Sequence, residues 1–268
     1  MQLSQIAYRP GAGRPSTYPF NLPAVRTLDE LPFAGPVTCF VGENGSGKST
    51  LLEAIACAAE LPTIGAVPLV EDETAAGSRA LGARLRLSWA RRTRRGFFMR
   101  AEDFIGFTRG LRVQKRGLAE DLVQVEAEFA ERSDYARGLA MGPLRGSLAA
   151  LESRYGDLDA RSHGESFLDV FRSRFVPDGL YLLDEPETPL SPQSQLALAV
   201  MLHDAVARGA QFIIATHSPI LMAYPDAAIL SFDRDRISRV PYDAVEHVGL
   251  YRQVLRDPVQ FMRGLLRD

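Results

Sequence analysis

The sequence predicts an α/β fold built around a mixed, mainly parallel β-sheet. Short apolar, β-prone runs alternate with segments of helical periodicity, as where Pro36–Val41 is followed by a helix from Ser49. The chain has 268 residues, of which 46% are hydrophobic and 24% charged, a balance that suits one large α/β domain or two small ones. Strands that alternate with helices favour a parallel sheet covered on both faces.

The composition excludes several classes of protein. The formal net charge of −2 gives no global field for nucleic acid or anionic lipid, so any such contact needs a local patch. No apolar run approaches the ~18 residues of a transmembrane helix, and the N-terminus lacks the basic and apolar regions of a secretory signal. Cys39 and Cys57 lie among apolar residues, which indicates reduced thiols. We therefore expect a cytoplasmic protein that does not insert into a membrane.

In the first half of the chain, the pattern predicts strands and loops. Residues 1–36 are rich in proline and turn residues, with short extended stretches such as Ala24–Leu28. Residues 62–82 predict a loop. Leu81–Ala90 alternates arginine with apolar residues like a half-exposed strand, and Gly96–Met99 starts another strand after a turn. These two strands predict a hairpin.

In the second half of the chain, the pattern predicts helices first and then strands that alternate with helices. Leu118–Arg132 and Leu144–Tyr155 have helical spacing, with a break expected near Gly142-Pro143, and the heptads are too short for a coiled-coil arm. A helix follows Ser162. The remaining predicted elements are the strand Leu180–Leu183, the helix Gln193–Arg208, the strand Gln211–Ala215, the apolar run Ala227–Phe232 and the mostly helical Asp243–Leu266.

A glycine-rich loop carries the strongest motif. The segment from Gly42 to Ser49 matches G-x-x-x-x-G-K-[ST] in full, with a strand before it and a helix after it. Such glycines let backbone N–H groups and the helix N-terminus surround phosphates, while Lys48 reaches the β- and γ-phosphates and the Ser49 hydroxyl holds Mg²⁺. A plain helix-capping turn would not need all of these residues in register. The predicted ATP-binding residues are Gly42, Asn44, Gly45, Ser46, Gly47, Lys48, Ser49 and Thr50.

Two carboxylates follow a later apolar strand. Asp184 and Glu185 come directly after Leu180–Leu183 and before Pro186. Asp184 can bind the Mg²⁺ shell, and Glu185 can polarise a water for in-line attack on the γ-phosphate. By itself the segment could be a polar turn, but beside a phosphate loop the pair predicts a hydrolytic site.

A histidine ends the next predicted strand. His217 follows Gln211–Ala215, where a neutral imidazole can contact the γ-phosphate and the attacking water. A lone histidine at a strand end is more often structural, and its place on the strand after the acidic pair favours the functional interpretation. His203 and His247 are interpreted as ordinary structural residues.

The segment from Ser162 to Ser166 allows two interpretations. Ser162 and Glu165 have the spacing of a helix capping box. A serine hydroxyl beside Gly164 at a helix N-terminus is also a site for an anion.

The four motifs together carry a resemblance to a known superfamily. Their order along roughly residues 20–232 resembles that of ABC-type ATPase heads, in the soluble RecF/SMC-like branch that includes AAA-family ATPases. The resemblance implies a P-loop NTPase fold in one domain over residues 1–268, with an N-terminal antiparallel β portion and a signature-bearing helical subdomain at 103–175.

The resemblance also implies a partner and its contacts. Ser162 and Gly164 stand where the family carries its signature motif, which contacts the γ-phosphate of ATP bound to the other subunit. The implied assembly is a head-to-head homodimer with two ATP molecules between the subunits. Leu190-Ser191-Pro192 stands at the dimer-contacting loop of that family.

The chain departs from the transporter branch of the family at two points. His163 occupies a position where transporter signatures have glycine, and Arg100 or Glu102 stands where the family's usual glutamine is expected. These departures weaken a transporter assignment more than they weaken ATP hydrolysis. Three upstream residues are candidates for contact with adenine: Tyr18, Phe20 and Arg26.

An arginine cluster is the remaining feature. Six arginines surround Trp89 on the predicted hairpin, a combination that suits a nucleic-acid backbone, although a solvated face is the more common interpretation. The cluster consists of Arg84, Arg86, Arg91, Arg92, Arg94 and Arg95.

The function expected from the sequence is a soluble ATPase whose ATP-driven dimerisation acts on DNA or a protein partner in repair, maintenance or defence. The nucleotide-binding subunit of a membrane transporter is the alternative. An ATP-gated scaffold that barely hydrolyses is a third interpretation, disfavoured by intact Lys48, Asp184, Glu185 and His217.

Overall fold

The computed structural model describes residues 1–11, 13, 15–64, 69, 71–155 and 163–266. The strands are β1 (Leu3–Tyr8), β2 (Glu30–Pro32), β3 (Val37–Val41), β4 (Leu85–Trp89), β5 (Gly96–Arg100), β6 (Leu180–Asp184), β7 (Gln211–Ala215), β8 (Ala228–Ser231) and β9 (Ser238–Arg239). The helices are α1 (Pro23–Arg26), α2 (Lys48–Ala58), α3 (Ala76–Gly82), α4 (Ala101–Glu128), α5 (Asp134–Tyr155), α6 (His163–Arg174), α7 (Pro192–Ala207), α8 (Pro219–Met222), α9 (Glu246–Arg256) and α10 (Pro258–Leu265).

The larger sheet positions the functional residues. Its strand order is β5-β6-β7-β3-β8-β9; the first five strands run parallel, and β9 pairs antiparallel with β8. Strands β3, β6 and β7 are buried along their whole length, as expected where helices cover both faces. The predicted mixed, mainly parallel α/β sheet is therefore confirmed. Because parallel strands end at the same edge, the residues after β3, β6 and β7 lie side by side.

A second, antiparallel sheet has the order β2-β1-β4 and includes the N-terminal strand. Leu3 and Ile6 of β1 are fully buried in a core shared with α2. The backbone N–H groups of Gln2 and Leu3 donate to Gln211 Oε1 at 2.8 and 2.7 Å. This buried amide on β7 therefore joins the two sheets, and the N-terminal antiparallel β portion is confirmed.

Three local predictions for the first 100 residues are wrong. Strands β4 and β5 form no hairpin, because β4 pairs with β1 and β5 pairs in parallel with β6 in the other sheet. Ala24–Leu28 is not extended, since Pro23 at the first position of α1 favours a helical turn there. The expected loop over 62–82 contains α3, where the small residue Gly82 permits close packing: an added Cβ would lie 2.7 Å from the Ala54 carbonyl oxygen of α2.

The central helices form a long helical hairpin. α4 and α5 have 28 and 22 residues, and Lys115 of α4 pairs with Glu152 of α5 at 3.5 Å. The break falls at residues 129–133 and not near Gly142-Pro143, and Pro143 lies inside α5. The Ser133 hydroxyl accepts a hydrogen bond from the Ala136 N–H at 3.3 Å, so α5 begins at a capping serine.

Aromatic rings packed against one another join this hairpin to the parallel sheet. Phe104 of α4 packs edge-on against Phe167 of α6 at 4.5 Å between centroids, and Phe167 packs against Phe171 at 4.6 Å. Phe171 then stacks on Phe97 of β5 at 6.1 Å. These rings are buried and form one core with the strands. Of the helices described, none has the length and apolarity that crossing a membrane demands.

Candidate functional site

The phosphate loop links β3 to α2 in a conformation that requires glycine. Gly42, Gly45 and Gly47 have φ angles of 142°, 80° and 102°. A Cβ on Gly42 would lie 2.8 Å from Asp233 Oδ1. The buried hydroxyl of Ser46 has no hydrogen-bond partner among the residues that the structure describes. The loop thus combines a glycine-dependent backbone with the N-terminus of α2, two features that phosphate binding needs.

Lys48 extends back into this loop. Its ammonium donates hydrogen bonds to the carbonyl oxygens of Gly42 and Glu43 at 2.6 and 2.9 Å. Burial lowers the pKa of Lys48, and the nearby carboxylates of Glu185 and Asp184 oppose that change. The charge therefore lies inside the cradle, where the sequence predicts the phosphates.

Ser49 and Asp184 meet across the sheet edge. The Ser49 hydroxyl donates to Asp184 Oδ1 at 2.9 Å, although the residues are 135 positions apart. Burial raises the pKa of Asp184 to about 7, and the Ser49 hydrogen bond opposes that shift. A hydroxyl and a carboxylate are hard oxygen ligands of the kind that Mg²⁺ prefers. The donor set therefore fits the predicted metal, which would also relieve the buried charge.

Glu185 is turned out of the sheet by its backbone. Its φ of 49° is in the left-handed region, and its N–H donates to the Ala215 carbonyl oxygen at 2.8 Å. The side chain is 43% exposed, and Oε1 lies 3.8 Å from Nε2 of His217. An uncommon backbone conformation at a strand end is thus combined with a partly exposed carboxylate beside His217.

A second glutamate, which the sequence analysis did not single out, holds the histidine segment. Glu187 Oε1 accepts hydrogen bonds from the backbone N–H groups of His217 and Ser218 at 2.6 and 3.1 Å. Burial raises the pKa of Glu187, and a hydrogen bond from the Thr216 side chain opposes that change. The signal in the sequence was a further carboxylate directly after Asp184-Glu185-Pro186.

Two more residues join the site from the C-terminal part of the chain. The Glu43 N–H donates to Asp233 Oδ1 at 2.8 Å, so Asp233 supports the phosphate loop from the end of β8. His247 of α9 packs against His217 with ring centroids 5.7 Å apart. Burial, followed by the neighbouring His217, lowers the pKa of His247. His247 was interpreted as ordinary because nothing local places it beside a residue 30 positions away.

A cleft of about 350 Å³ opens beside Ser49, Asp184 and Glu185. Arg100 and Glu102, the two candidates for the family's glutamine position, both line it. The Arg100 guanidinium is held by Glu53 and Asp72, each at 2.9 Å. Glu102 thus remains the candidate of the pair for contact with the metal or γ-phosphate.

The adenine candidates separate by burial. Phe20 is buried in the core and lies under the Arg84 guanidinium, 5.2 Å from its ring centroid, so its face is not accessible to a base. Tyr18 is 57% exposed, and its hydroxyl lies 3.1 Å from Thr50 Oγ1 beside the phosphate loop. Arg26 is exposed at the end of α1. Tyr18 and Arg26 therefore remain candidates for contact with adenine.

The described residues that the resemblance assigns to contact with a partner subunit do not line the cleft beside Ser49. Ser162 falls outside the described residues, and Gly164 lies in the first turn of α6. In the segment Leu190-Ser191-Pro192, the Ser191 hydroxyl caps α7 by accepting from the Ser194 N–H at 3.2 Å. Asn44 is exposed at the tip of the phosphate loop.

The arginine cluster divides into three parts, of which one is Arg86, an exposed residue of β4. Arg84 donates to the Pro10 and Gly13 carbonyl oxygens at 2.7 Å and is structural. Arg91–Arg95 connects the two sheets, and Arg91 pairs with Asp178 at 2.8 Å. The arginines of this segment are exposed at the amino end of β5, the edge of the sheet away from the phosphate loop.

Two family models match the chain. A model described as "AAA domain" covers residues 24–59, which include the phosphate loop. A model described as "AAA domain, putative AbiEii toxin, Type IV TA system" covers residues 167–223, which include Asp184, Glu185 and His217.

Curated relatives are ATP-binding proteins by name. The "Probable anion import ATP-binding protein" of Haloferax volcanii is 29% identical over 186 residues, 68% of this chain and 62% of the relative. The "Pyoverdine export ATP-binding/permease protein PvdT" of Pseudomonas syringae pv. syringae is 28% identical over 222 residues, 82% of this chain and 31% of the relative. The chain thus spans less than two thirds of either relative.

Among solved structures, the Smc head domain of Pyrococcus furiosus, bound to the C-terminal domain of ScpA, matches with 12% identity and a TM-score of 0.45. The match covers 95% of this chain and 100% of that chain. The fold is assigned from the strand order and the motif positions described above.

Proposed function

We propose that this chain is an ATPase domain of the ABC type within the P-loop superfamily. In this proposal it hydrolyses Mg²⁺–ATP between two copies of itself. The observation that carries the proposal is the 2.9 Å hydrogen bond between Ser49 and Asp184, with Glu185 and His217 at the same sheet edge. Residues from three separate parts of the sequence thereby surround one phosphate-binding loop.

Each residue has a distinct role in this proposal. The loop N–H groups and Lys48 bind the phosphates, and Ser49 and Asp184 hold Mg²⁺. The metal, when bound, neutralises the charge of the triphosphate. Glu185 accepts the proton of the attacking water, and His217 orients that water and the γ-phosphate. The two side chains are close enough to act on one water, with 3.8 Å between Glu185 Oε1 and His217 Nε2.

Exposure of the site supports the dimer. Glu185 and His217 side chains are 43% and 36% exposed, so one side of the reacting centre faces solvent. Hydrolases of this kind react in sites from which bulk water is excluded. A second subunit that contributes the α6 N-terminus near Gly164, and the Leu190–Pro192 loop, would close that side.

We propose that the dimer works in the cytoplasm on DNA or a protein partner, in repair, maintenance or defence. The Arg91–Arg95 segment supports a nucleic-acid contact, because its four arginines lie close together at the surface; one of them, Arg91, also pairs with Asp178 at 2.8 Å. The relatives' names favour the second candidate, a transporter's nucleotide-binding subunit. Stimulation of ATPase activity by DNA that weakens with salt would favour a function on DNA. Measurable basal ATPase activity that DNA does not change would point to a protein partner.

The test of hydrolysis uses two substitutions in the phosphate site. Lys48→Ala removes the charge that binds the phosphates, and calorimetry is expected to show at least about tenfold weaker ATP binding. Glu185→Gln keeps the shape but removes the proton acceptor, so ATP binding persists while kcat falls about 100-fold or more. Glu126→Gln, on the exposed face of α4, is the matched control and should keep wild-type kcat. Equal kcat in wild type and Glu185→Gln would contradict the proposal, and binding without any turnover would indicate a scaffold.

A further inference from the structure

A half-buried glutamate links the acidic strand end to the histidine segment. Glu187 lies two residues after Glu185, and its Oε1 accepts from the N–H groups of both His217 and Ser218, at 2.6 and 3.1 Å. These N–H groups follow the last residue of β7 and are not used by the sheet ladder. Glu187 therefore supplies a charged acceptor just after the end of β7, at the residue that is predicted to contact the γ-phosphate.

Other contacts fix the backbone on either side of His217. The Thr216 N–H donates to the Phe40 carbonyl oxygen at 3.1 Å, near the end of β3. The Ser218 hydroxyl donates to Gln195 Oε1 at 2.6 Å and accepts from the first N–H groups of α8. Glu187 is the contact that binds the His217 N–H itself. It belongs to the same short segment as Glu185, since the Thr188 N–H donates to the Glu185 carbonyl oxygen at 3.0 Å.

We propose that Glu187 is a positioning residue that holds the His217 imidazole in register with Glu185. The inference rests on the proposed hydrolysis at this site and assigns a role that none of the recognised motifs contains. Because Glu187 and Glu185 share one turn, a movement of that turn shifts the water-activating carboxylate and the histidine together. Misplacement of a reacting group by about 1 Å can cost a hundredfold in rate, so such a link matters for catalysis.

The first experiment measures the contact without requiring activity. Hydrogen–deuterium exchange of the full chain is expected to show about tenfold faster exchange in the peptide covering residues 212–222 for Glu187→Ala. Glu187→Gln keeps an oxygen that accepts both N–H groups and should stay near wild type. Gln195→Ala, the matched control, removes the side-chain bonds to Ser218 and to the Leu190 carbonyl oxygen and should leave the His217 N–H protected. Equal protection in wild type and Glu187→Ala would overturn the proposal, even for a chain that hydrolyses no ATP.

The second experiment asks whether Glu187 acts through His217. Glu187→Ala is expected to lower kcat about tenfold with KM within about twofold, and Glu187→Gln to restore most of the rate. In a His217→Ala background the same Glu187→Ala change should alter kcat by less than about twofold, since no imidazole remains to be misplaced. A tenfold loss in both backgrounds would indicate general destabilisation and overturn the positioning role. Absence of turnover in the wild type would instead contradict the proposed function, and the exchange experiment would still decide the contact.

Discussion

Asp184, which we propose to hold Mg²⁺, is a buried group that links the free energy of unfolding to pH. Its carboxyl group is buried at the end of β6 and accepts the Ser49 hydrogen bond at 2.9 Å. The folded-state pKa of about 7 lies well above the ordinary value of 3.8. The folded chain therefore binds more protons than the unfolded chain between these pH values, and the free energy of unfolding falls as pH rises through this window.

Replacing Asp184 by asparagine tests this coupling. Without nucleotide, Asp184→Asn should raise Tm at pH 8 by a few degrees and remove the decline of Tm between about pH 4 and pH 7, because no buried charge forms. Mg²⁺–ATP should stabilise the wild type and have much less effect on the variant. Calorimetric scans of both proteins, with the exposed Asp235→Asn as control, make the comparison. A lower Tm for Asp184→Asn at pH 8 would contradict the assignment.

At the scale of elements, the start of β5 depends on one glycine. Gly96 has a φ of 121°, and a Cβ there would lie 1.8 Å from the Leu180 carbonyl oxygen of β6. Next to this close approach, the Leu180 N–H donates a hydrogen bond to the Arg95 carbonyl oxygen at 2.9 Å. The close approach starts the β5–β6 pairing whose last register pair is Arg100 and Asp184. The strand pairing that ends at Asp184 thus begins with close backbone packing at the opposite end of the strand.

Gly96→Ala is expected to lower the free energy of unfolding by about 2 kcal/mol or more, since both the backbone angle and the space exclude a side chain. Gly110→Ala is the matched control. It lies inside α4 with no atom within 4 Å of an added Cβ, so it should stabilise by about 0.5–1 kcal/mol. Urea unfolding measures both changes. Equal stability of Gly96→Ala and the wild type would show that β5 does not pair with β6 in this register.

Across the whole molecule, the two charged features occupy opposite edges of the parallel sheet. The phosphate loop and the acidic pair lie at the carboxyl ends of the strands, and Arg91–Arg95 precedes the amino end of β5. Five residues of strand separate these edges by roughly 16 Å. A ligand of the arginine segment could therefore bind without contact with the nucleotide.

Replacing Arg91, Arg92, Arg94 and Arg95 with glutamine should reduce affinity for DNA and flatten its salt dependence while basal ATPase activity stays unchanged. The matched control carries four exposed arginines of the helical hairpin changed to glutamine: Arg109, Arg116, Arg132 and Arg145. Fluorescence anisotropy over a salt titration compares the two. Loss of DNA binding only in the control variant would move the nucleic-acid surface to the hairpin.

The proposed dimer has a direct hydrodynamic signature. Glu185→Gln with Mg²⁺–ATP should sediment as a dimer, because bound ATP persists when hydrolysis is blocked. The double variant Lys48→Ala/Glu185→Gln should remain monomeric, since it cannot hold the nucleotide. Sedimentation of Glu185→Gln as a monomer under saturating ATP would exclude the ATP-sandwich arrangement.

Local sequence patterns predicted several strands and the position of the phosphate loop correctly, because these signals lie within a few residues. Gln211–Ala215 appears with the expected bounds, and the phosphate loop stands between β3 and α2 as predicted. The expected hairpin at the arginine cluster was wrong, because alternation identifies a strand and not the strand with which it pairs. The break near Gly142-Pro143 was also wrong, since a proline removes one helical hydrogen bond and helix packing can compensate for that loss.

The sequence by itself determined the α/β class, the phosphate loop and the order of the acidic pair and histidine, because each depends on neighbouring residues and on strand–helix alternation. Only the tertiary structure decided that Glu187 binds the His217 backbone, that Asp233 supports the loop and that His247 lies beside His217. These contacts join residues 30 to 190 positions apart. Their partners are chosen by strand order and by the burial of polar groups that need an acceptor, and neither is encoded in any local pattern.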